Sequence, residues 1–314
     1  MNVLSLFDGI SCGRVALEKA GFKINKYYSS EIDKYAIAIA KYHYPDNIEL
    51  GDIRNISGKD LKNIDLLIGG SPCNNFSFAG KKEGMITEDN KEITTLDQYL
   101  DLKKKRFKFK GESYLFWEYI RILQEVKPKF FLLENVKMLK KWENIINEAL
   151  KIKPIVFNSS LVSGQNRLRL YWTNIPFKNY PKESDILLKH ILQDNIEDKY
   201  FINKSYTITN LNKKNMGYVN NINYCVRKEI HNINYKAGAL TKDKCYFILD
   251  NLKLRILTPI ERERLQTLPD DYTKYGILNN KTILISDSRR FNVLGNCWTV
   301  EALTYIFKGL KEMI

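Results

Sequence analysis

The predicted fold is decided by the segment Asp65-Leu66-Leu67-Ile68-Gly69-Gly70-Ser71-Pro72-Cys73-Asn74. A short apolar run closed by turn residues is typical of a buried strand in a parallel sheet. A second such run, Phe130-Phe131-Leu132-Leu133, ends at Glu134-Asn135-Val136. Because ligands of these sheets bind beyond the carboxyl ends of the strands, we expect Cys73 and Glu134 to reach the same rim. A thiol and a proton donor placed together suit attack on a ring carbon next to a nitrogen that must be protonated.

The first half of the chain alternates apolar runs with amphipathic stretches at helical spacing. Further strands are predicted at residues 3–7 and 26–30 and just before residue 52, and helices at residues 13–20, 33–42, 114–124, 259–267 and 299–309. This alternation predicts an α/β protein with a doubly wound, Rossmann-like sheet. We assign residues 1–172 and 255–314 to that domain.

The alternation breaks in two places. Residues 81–112 are polar, with the basic run Lys103-Lys104-Lys105-Arg106 beside two phenylalanines, and so long a connection is either a solvated surface insertion or a functional contact. Residues 173–254 are rich in Asn, Tyr and Lys and contain short β-like pieces. They predict a smaller, mostly β or irregular domain.

The composition narrows the class of protein. Of 314 residues, 44% are hydrophobic and 27% charged, as in ordinary globular proteins. The chain has no apolar stretch long enough to span a bilayer and no N-terminal signal pattern, so we expect a cytoplasmic protein without a membrane partner. The cysteines are odd in number and lack C-x-x-C spacing, which predicts neither a disulfide framework nor a metal site; they are Cys12, Cys73, Cys225, Cys245 and Cys297.

The formal net charge of +14 points to a polyanionic partner, although an AT-rich genome also enriches a chain in lysine and asparagine. Charge placement favours the first interpretation. Residues 199–244 hold nine Lys or Arg against two Asp or Glu, with five tyrosines interleaved. Such a surface suits phosphates and bases, so we expect nucleic acid as the partner.

Acidic residues end the first three predicted strands, at Asp8, Glu31 and Asp52. The first turn, residues 7–13, lacks the G-x-G-x-x-G spacing that a diphosphate needs. An acid after the second strand suits a ribose diol, and one after the third can accept from an adenine amine. Any one of these acids is equally an ordinary helix N-cap. The three together predict an adenosine ligand without phosphates, which S-adenosylmethionine matches.

The chain resembles the DNA (cytosine-5)-methyltransferases. The matching segments, in family order, are Phe7-Asp8-Gly9, Ser30-Glu31, Gly51-Asp52, Ser71-Pro72-Cys73, Glu134-Asn135-Val136, Gln165-x-Arg167-x-Arg169, Arg255-x-Leu257-Thr258-Pro259-x-Glu261 and Gly295-Asn296. Asn74 and Trp298 are similar to animal de novo enzymes, whereas the arginine segment and Asn296 follow the bacterial pattern. The resemblance implies a compact bacterial or phage enzyme, monomeric, with double-stranded DNA as its partner and a possible cognate restriction endonuclease.

The resemblance also implies a mechanism. Cys73 is the nucleophile that adds to C6 of cytosine, Glu134 the acid at N3, Arg169 a contact to the cytosine carbonyl oxygen and Arg167 a residue that orders the site. The methyl group passes from S-adenosylmethionine to C5, leaving S-adenosylhomocysteine. A free thiol is mostly protonated near neutral pH, so we expect the surroundings of Cys73 to favour its thiolate.

The remaining site residues follow from the same resemblance. The cofactor residues implied are Phe7, Asp8, Gly9, Ile10, Ser11, Gly13, Glu31, Ile32, Asp52, Ile53, Ser71, Pro72, Leu115, Asn296 and Trp298. The residues implied to contact DNA are Asn74, Phe76, Ser77, Lys81, Gln165 and Thr241, and residues 173–250 are expected to read the target sequence. Two alternatives are tRNA as the substrate and a catalytically dead DNA-binding homologue.

Overall fold

The computed structural model describes residues 1–76, 83–203, 207–209, 215–220, 229–242, 246–250 and 253–313, with the backbone alone for residues 207–209 and 215–220. Two of the predicted DNA contacts, Ser77 and Lys81, lie outside the described residues.

Eighteen strands are present in the described residues. They are β1 (Asn2–Leu6), β2 (Lys26–Ser30), β3 (Ile48–Glu49), β4 (Leu66–Gly70), β5 (Ile86–Thr87), β6 (Phe109–Lys110), β7 (Phe130–Val136), β8 (Ile155–Asn158), β9 (Gln165–Asn166), β10 (Leu168–Thr173), β11 (Thr207–Thr209), β12 (Asn215–Asn220), β13 (Glu229–His231), β14 (Ala237–Gly238), β15 (Phe247–Asp250), β16 (Lys253–Ile256), β17 (Tyr275–Leu278) and β18 (Lys281–Leu284). Eight α-helices accompany them in the same part of the chain. They are α1 (Cys12–Lys19), α2 (Lys34–His43), α3 (Leu96–Lys104), α4 (Phe116–Val126), α5 (Lys140–Leu150), α6 (Pro259–Leu265), α7 (Asp287–Asn296) and α8 (Val300–Phe307).

The main sheet has seven strands in the order β3-β2-β1-β4-β7-β10-β8. Strands β1, β2, β3, β4 and β7 run parallel, and β10 pairs antiparallel with β7 and β8. The strand order reverses direction between β1 and β4, which is the point where doubly wound sheets bind ligands. The predicted α/β fold is therefore confirmed, as a mixed sheet.

The sheet is buried on both faces, which explains why its strands read as unbroken apolar runs. Along β1, Val3 faces one core cluster, whereas Leu4 and Leu6 face the other. Helices α1, α2, α7 and α8 cover the first face, and α4 and α5 cover the second. Strand side chains alternate between faces, so each run must be apolar throughout.

Element bounds follow the capping chemistry. Asp33, predicted as the first residue of the second helix, is instead the N-cap of α2 and accepts from the N–H groups of Tyr35 and Ala36 at 2.8 and 3.1 Å. The helix predicted from residue 114 opens with a 3₁₀ turn at Ser113–Leu115 before α4 begins.

The interpretation of residues 81–112 as a solvated surface insertion holds for the exposed residues 88–92 and 104–108 but not for the whole described part. Met85, Ile93 and Tyr99 are almost fully buried in the second core cluster. The buried carboxylate of Glu118 on α4 accepts hydrogen bonds from Tyr99 and Lys103 of α3. A buried charge of this kind is tolerated only when it is paired, so the network fixes α3 against α4.

The region predicted as a second domain contains a five-stranded sheet in the order β11-β12-β13-β15-β16. Its core cluster joins Leu188, Leu240 and Ile248 to Leu257 and Leu265, which follow residue 254. Strand β16 also crosses that residue. The boundaries at 172 and 254 therefore stay predictions. In the described part of the chain, no helix combines the length and apolarity that a membrane crossing needs.

Candidate active site

A cleft of about 540 Å³ lies beyond the carboxyl ends of β1, β2, β4 and β7. Most of the residues singled out in the sequence line it: Phe7, Asp8, Gly9, Glu31, Ile32, Asp52, Ile53, Ser71, Pro72, Cys73, Asn74, Leu115, Glu134, Arg167, Arg169, Asn296 and Trp298. We call the part lined by Phe7, Asp8, Glu31 and Asp52 the cofactor half. The part lined by Cys73, Glu134, Arg167 and Arg169 is the acceptor half.

Glu31 is fixed by backbone donors. Its Oε2 accepts from the N–H of Gly9 at 2.8 Å, and its Oε1 accepts from the N–H groups of Ile32 and Asp33 at 2.8 and 2.9 Å. Gly9 reaches this position with φ of +61°, a conformation that glycine adopts without steric cost. Three of the four lone-pair sites of the carboxylate are thus taken, and Oε2 keeps one for a donor from a ligand.

Asp8 is buried and bonded within the protein. Tyr27 donates to its Oδ1 at 2.7 Å and Ser11 to its Oδ2 at 2.6 Å. Burial raises the pKa of Asp8 to about 6, against the two hydrogen bonds, which lower it. The charge of this carboxylate therefore changes within the range of ordinary assay conditions.

Asp52 is paired with a residue of its own turn. It caps a 3₁₀ turn at Ile53–Asn55, and its Oδ1 accepts from both the N–H and the Nε of Arg54, at 2.9 and 3.0 Å. The side-chain hydrogen bond of Arg54 is the main cause that lowers the pKa of Asp52. The role of Asp52 toward an adenine amine stays a prediction.

Three predicted cofactor residues, Ile10, Ser11 and Gly13, are buried and absent from the cleft lining. Gly13 packs against the sheet, because a Cβ there would lie 2.4 Å from Cδ1 of Ile68. Ser11 faces Asp8 instead of the cleft. These residues therefore pack behind the residues that line the cleft.

In the acceptor half, β4 and β7 deliver the two key groups side by side. Gly70 is paired with Glu134 in the sheet, and Cys73 follows three residues later in the chain. Oε1 of Glu134 forms an ion pair with Nε of Arg169 at 2.9 Å. Its Oε2 accepts from the indole N–H of Trp298 at 3.1 Å. Both carboxylate oxygens are thus held by donors that point along the cleft wall.

The expectation that the surroundings favour a Cys73 thiolate is wrong for this arrangement of the site. Burial raises the pKa of the Cys73 thiol, and the Glu134 carboxylate raises it further. The charges of Arg169, Arg167 and Lys242 lower it, but they do not outweigh burial. The thiol therefore rests in its protonated form.

Arg167 joins three parts of the chain. Its guanidinium is buried and donates to the carbonyls of Leu240, Gly295 and Cys297 at 3.0, 3.4 and 3.2 Å. Burial, together with the nearby charge of Arg169, lowers the pKa of Arg167 to about 10. Arg167 and Arg169 both line the cleft.

The predicted DNA contacts fall into different environments. Asn74 is exposed and lines the cleft. Phe76 is fully buried, with its ring centroid 6.2 Å from that of Trp142. Gln165 is also buried, and its Oε1 accepts from the N–H of Leu240 at 2.8 Å. Thr241 is half-buried, with its backbone packed against Gly295. In this structure Phe76 and Gln165 thus face protein groups.

Although Ser30, Gly70, Val136 and Gly295 stand in segments quoted from the sequence, fourteen lining residues were not assigned to the site from it. They are Cys12, Ser30, Asp33, Ala36, Arg54, Gly70, Glu112, Tyr114, Val136, Lys242, Asn292, Val293, Gly295 and Cys297. Lys242 directly follows Thr241, which the sequence had indicated as a DNA contact. Nothing in the sequence set it apart from the other lysines of residues 199–244.

Solved structures share this fold over almost the whole chain. A Dnmt2 methyltransferase from S. pombe has a TM-score of 0.68 at 16% identity, covering 100% of this chain and 99% of that one. A DNMT2 mutant from Spodoptera frugiperda has a TM-score of 0.67 at 19% identity, covering 99% of each chain. These chains share with this one the fold, a sheet-and-helix architecture that extends over its full length.

Sequence comparison gives the family. The profile of the C-5 cytosine-specific DNA methylases matches residues 1–175 and 177–312. Type II methyltransferase M1.ScrFI from Lactococcus lactis subsp. cremoris is 28% identical over 344 residues, covering 100% of this chain and 78% of its own. Orphan methyltransferase M.SPRI from Bacillus phage SPR is 34% identical over 209 residues, covering 62% of this chain and 42% of its own. The chain belongs to the C-5 cytosine-specific DNA methylase family, and its enzyme class is DNA (cytosine-5)-methyltransferase.

Proposed function

We propose that this protein methylates C5 of a cytosine that has been rotated out of duplex DNA and bonded through C6 to Cys73. Membership of the family supports methyl transfer from S-adenosylmethionine to DNA cytosine. The observation that carries the finer proposal is the placement of Cys73, Glu134 and Arg169 in one cleft with the cofactor half. Two nearly rigid parallel strands, β4 and β7, hold the thiol and the carboxyl group beside each other.

The cofactor half fits S-adenosylmethionine. Glu31 offers the remaining lone pair of its Oε2 to a ribose hydroxyl. The side chain of Ile32 lines the cleft although it is 67% exposed, and it offers an apolar surface on which an adenine ring can rest. When bound, S-adenosylmethionine supplies an electrophilic methyl group on a sulfonium. A cation of that kind is also compatible with the acidic residues around it.

The acceptor half fits a cytosine. Cytosine C5 is a poor nucleophile until a thiol sulfur adds to C6, which converts the ring to an enamine. In this step the Cys73 sulfur bonds to C6 while the thiol proton passes by way of the Glu134 carboxylate to N3. The enamine then takes the methyl group at C5. Water takes the C5 proton, the Cys73–C6 bond breaks, and the N3 proton returns by way of Glu134 to the sulfur, which releases 5-methylcytosine and regenerates the thiol.

The depth of the acceptor half supports base rotation. Glu134 is only 9% exposed, so a base stacked inside a duplex cannot bring N3 to it. Rotating one nucleotide out of the stack costs a few kcal/mol and is the route by which enzymes reach such atoms. Arg169, on the same wall, is placed to donate to the cytosine carbonyl oxygen as the family resemblance implies.

Mechanism-based trapping tests the proposal. After bisulfite sequencing of DNA from expressing cells has located the methylated site, a duplex carrying 5-fluorocytosine at that position is mixed with the protein and S-adenosylmethionine. Fluorine cannot leave C5 as a proton does, so we expect a stable adduct that peptide mapping assigns to Cys73. An unmodified duplex is the matched control. A trapped adduct on Cys12 or Cys297 would refute the assignment to Cys73, and no adduct at all would refute the covalent route.

An assay of methyl incorporation into duplex DNA and into tRNA distinguishes the two alternatives. Methyl incorporation into tRNA but not into duplex DNA would establish the RNA substrate. Absence of incorporation into any nucleic acid would revive the inactive homologue. One relative is named a type II methyltransferase and another an orphan methyltransferase, so a partner restriction endonuclease stays a prediction.

A further inference from the structure

Four cations line the cleft among the residues that the structure describes, and three of them are already engaged. Arg54 is paired with Asp52, and Arg169 with Glu134. Arg167 donates to three backbone carbonyls. The fourth, Lys242, is exposed. No described carboxylate lies within 4.0 Å of its ammonium.

The position of Lys242 is set by contacts of the residues before it with β9, Arg167 and α7. The backbone two residues earlier is held from both sides, because Gln165 accepts from the N–H of Leu240 at 2.8 Å and Arg167 donates to its carbonyl at 3.0 Å. Gly295 permits close approach of the next peptide, since a Cβ there would lie 2.3 Å from the carbonyl carbon of Thr241. The ammonium is therefore carried to the rim of the acceptor half on a fixed backbone.

The chemistry of the acceptor defines what such a cation meets. In a cytidine with the ordinary anti conformation, C6 lies on the edge of the ring that faces the 5′ phosphate. A base bonded through C6 to Cys73 thus brings that phosphate to the rim near Cys73. We propose that the ammonium of Lys242 binds the phosphate on the 5′ side of the flipped cytidine, an inference that rests on the proposed function.

A role of Lys242 toward the thiol alone is less well supported. The charges of Arg169 and Arg167 both lower the pKa of Cys73 more than the charge of Lys242 does. The two arginines are also more buried, where a charge acts through less water. The exposed position of Lys242 suits a hydrated phosphate better than a buried sulfur.

A double-mutant cycle tests the contact. One partner is Lys242→Gln, and the other is a neutral methylphosphonate at the 5′ phosphate of the target cytidine in the duplex located by bisulfite sequencing. Binding is measured by fluorescence anisotropy at several salt concentrations, with S-adenosylhomocysteine present. Lys253→Gln is the matched control, because Lys253 is an exposed lysine that lies outside the cleft lining.

We expect each single change to weaken binding about fivefold, and the two together to weaken it no further. The slope of log affinity against log salt should fall by about one in Lys242→Gln. In Lys253→Gln, the methylphosphonate should keep its full effect. If the losses of affinity from Lys242→Gln and from the methylphosphonate multiply when the two changes are combined, the contact is overturned. Unchanged affinity with a slower single-turnover rate would also overturn it and would assign Lys242 to the thiol.

The two proposals fail in different ways. If wild-type protein forms no adduct with the 5-fluorocytosine duplex, the proposed function fails regardless of Lys242. If the adduct forms but the cycle shows no coupling, the assignment of Lys242 alone is lost.

Discussion

The two halves of the cleft differ in how their charged groups are held. In the cofactor half, Glu31 is fixed by three backbone N–H groups that cannot turn away. In the acceptor half, Glu134 is held by the side chains of Arg169 and Trp298, and the thiol of Cys73 rests protonated. The cofactor half is therefore formed before any ligand arrives. The acceptor half depends on side chains whose partners can change when a base enters.

The largest expected effect is a loss of methylation without a loss of cofactor affinity, which distinguishes the acceptor half from the cofactor half. Cys73→Ala removes the nucleophile, so methylation of duplex DNA should fall to the background of the assay. Affinity for S-adenosylmethionine should stay within about twofold of wild type, because no backbone donor of the cofactor half is touched. Methyl transfer from labelled cofactor and titration calorimetry measure the two quantities. Turnover in this variant would show that the cysteine is not the nucleophile.

Glu134→Gln should give the next largest effect. A neutral amide cannot transfer a proton to N3, and general acids contribute about 10²- to 10⁴-fold to rates. We expect a loss of that size in the single-turnover rate, with cofactor affinity retained. Glu148→Gln on α5, an exposed glutamate, serves as the control. A loss below tenfold would move the proton donor elsewhere.

A stability measurement examines the cofactor half by itself. The pKa of Asp8 is about 6 in the folded protein against 3.8 as its ordinary value, so the native state binds this proton more tightly than the unfolded state. Ionisation of Asp8 therefore costs stability as pH rises. Relative to Asp8→Asn, the free energy of unfolding of the wild type should fall by about 2 kcal/mol from pH 4 to pH 6, and by about 3 kcal/mol in all before it levels off above about pH 7. Denaturant titrations at each pH measure the difference, and parallel curves for both proteins would contradict it.

Trp298→Phe has the smallest expected effect and tests the boundary between the halves. The substitution keeps an aromatic ring in the cleft but removes the N–H that donates to Glu134. A hydrogen bond to a charged group is worth about 1.5–3 kcal/mol, so kcat should fall about tenfold or more while KM for S-adenosylmethionine changes by less than about twofold. Steady-state rates at varied cofactor concentration resolve the two. A change in KM alone would assign Trp298 to the cofactor, as the family resemblance implies.

Much of the fold could be predicted because local rules and tertiary packing agree. The predicted strand at 26–30 has the observed bounds of β2, and the apolar runs before Cys73 and Glu134 form the adjacent strands β4 and β7. Residues 81–112 were harder to interpret. The packing of α3 depends on Glu118 of α4, a charged residue that looks solvent-facing until its partners Tyr99 and Lys103 are known.

The sequence by itself determined the chemistry at the strand ends, because the order of strands in a doubly wound sheet brings Asp8, Glu31, Cys73 and Glu134 to one edge. Only the tertiary structure decided the protonation state and the bonding partners of these groups. The protonated thiol follows from burial, and the pairing of Glu134 with Trp298 joins residues 164 positions apart. Burial and long-range contacts belong to the packed chain as a whole, so no local pattern of residues encodes them.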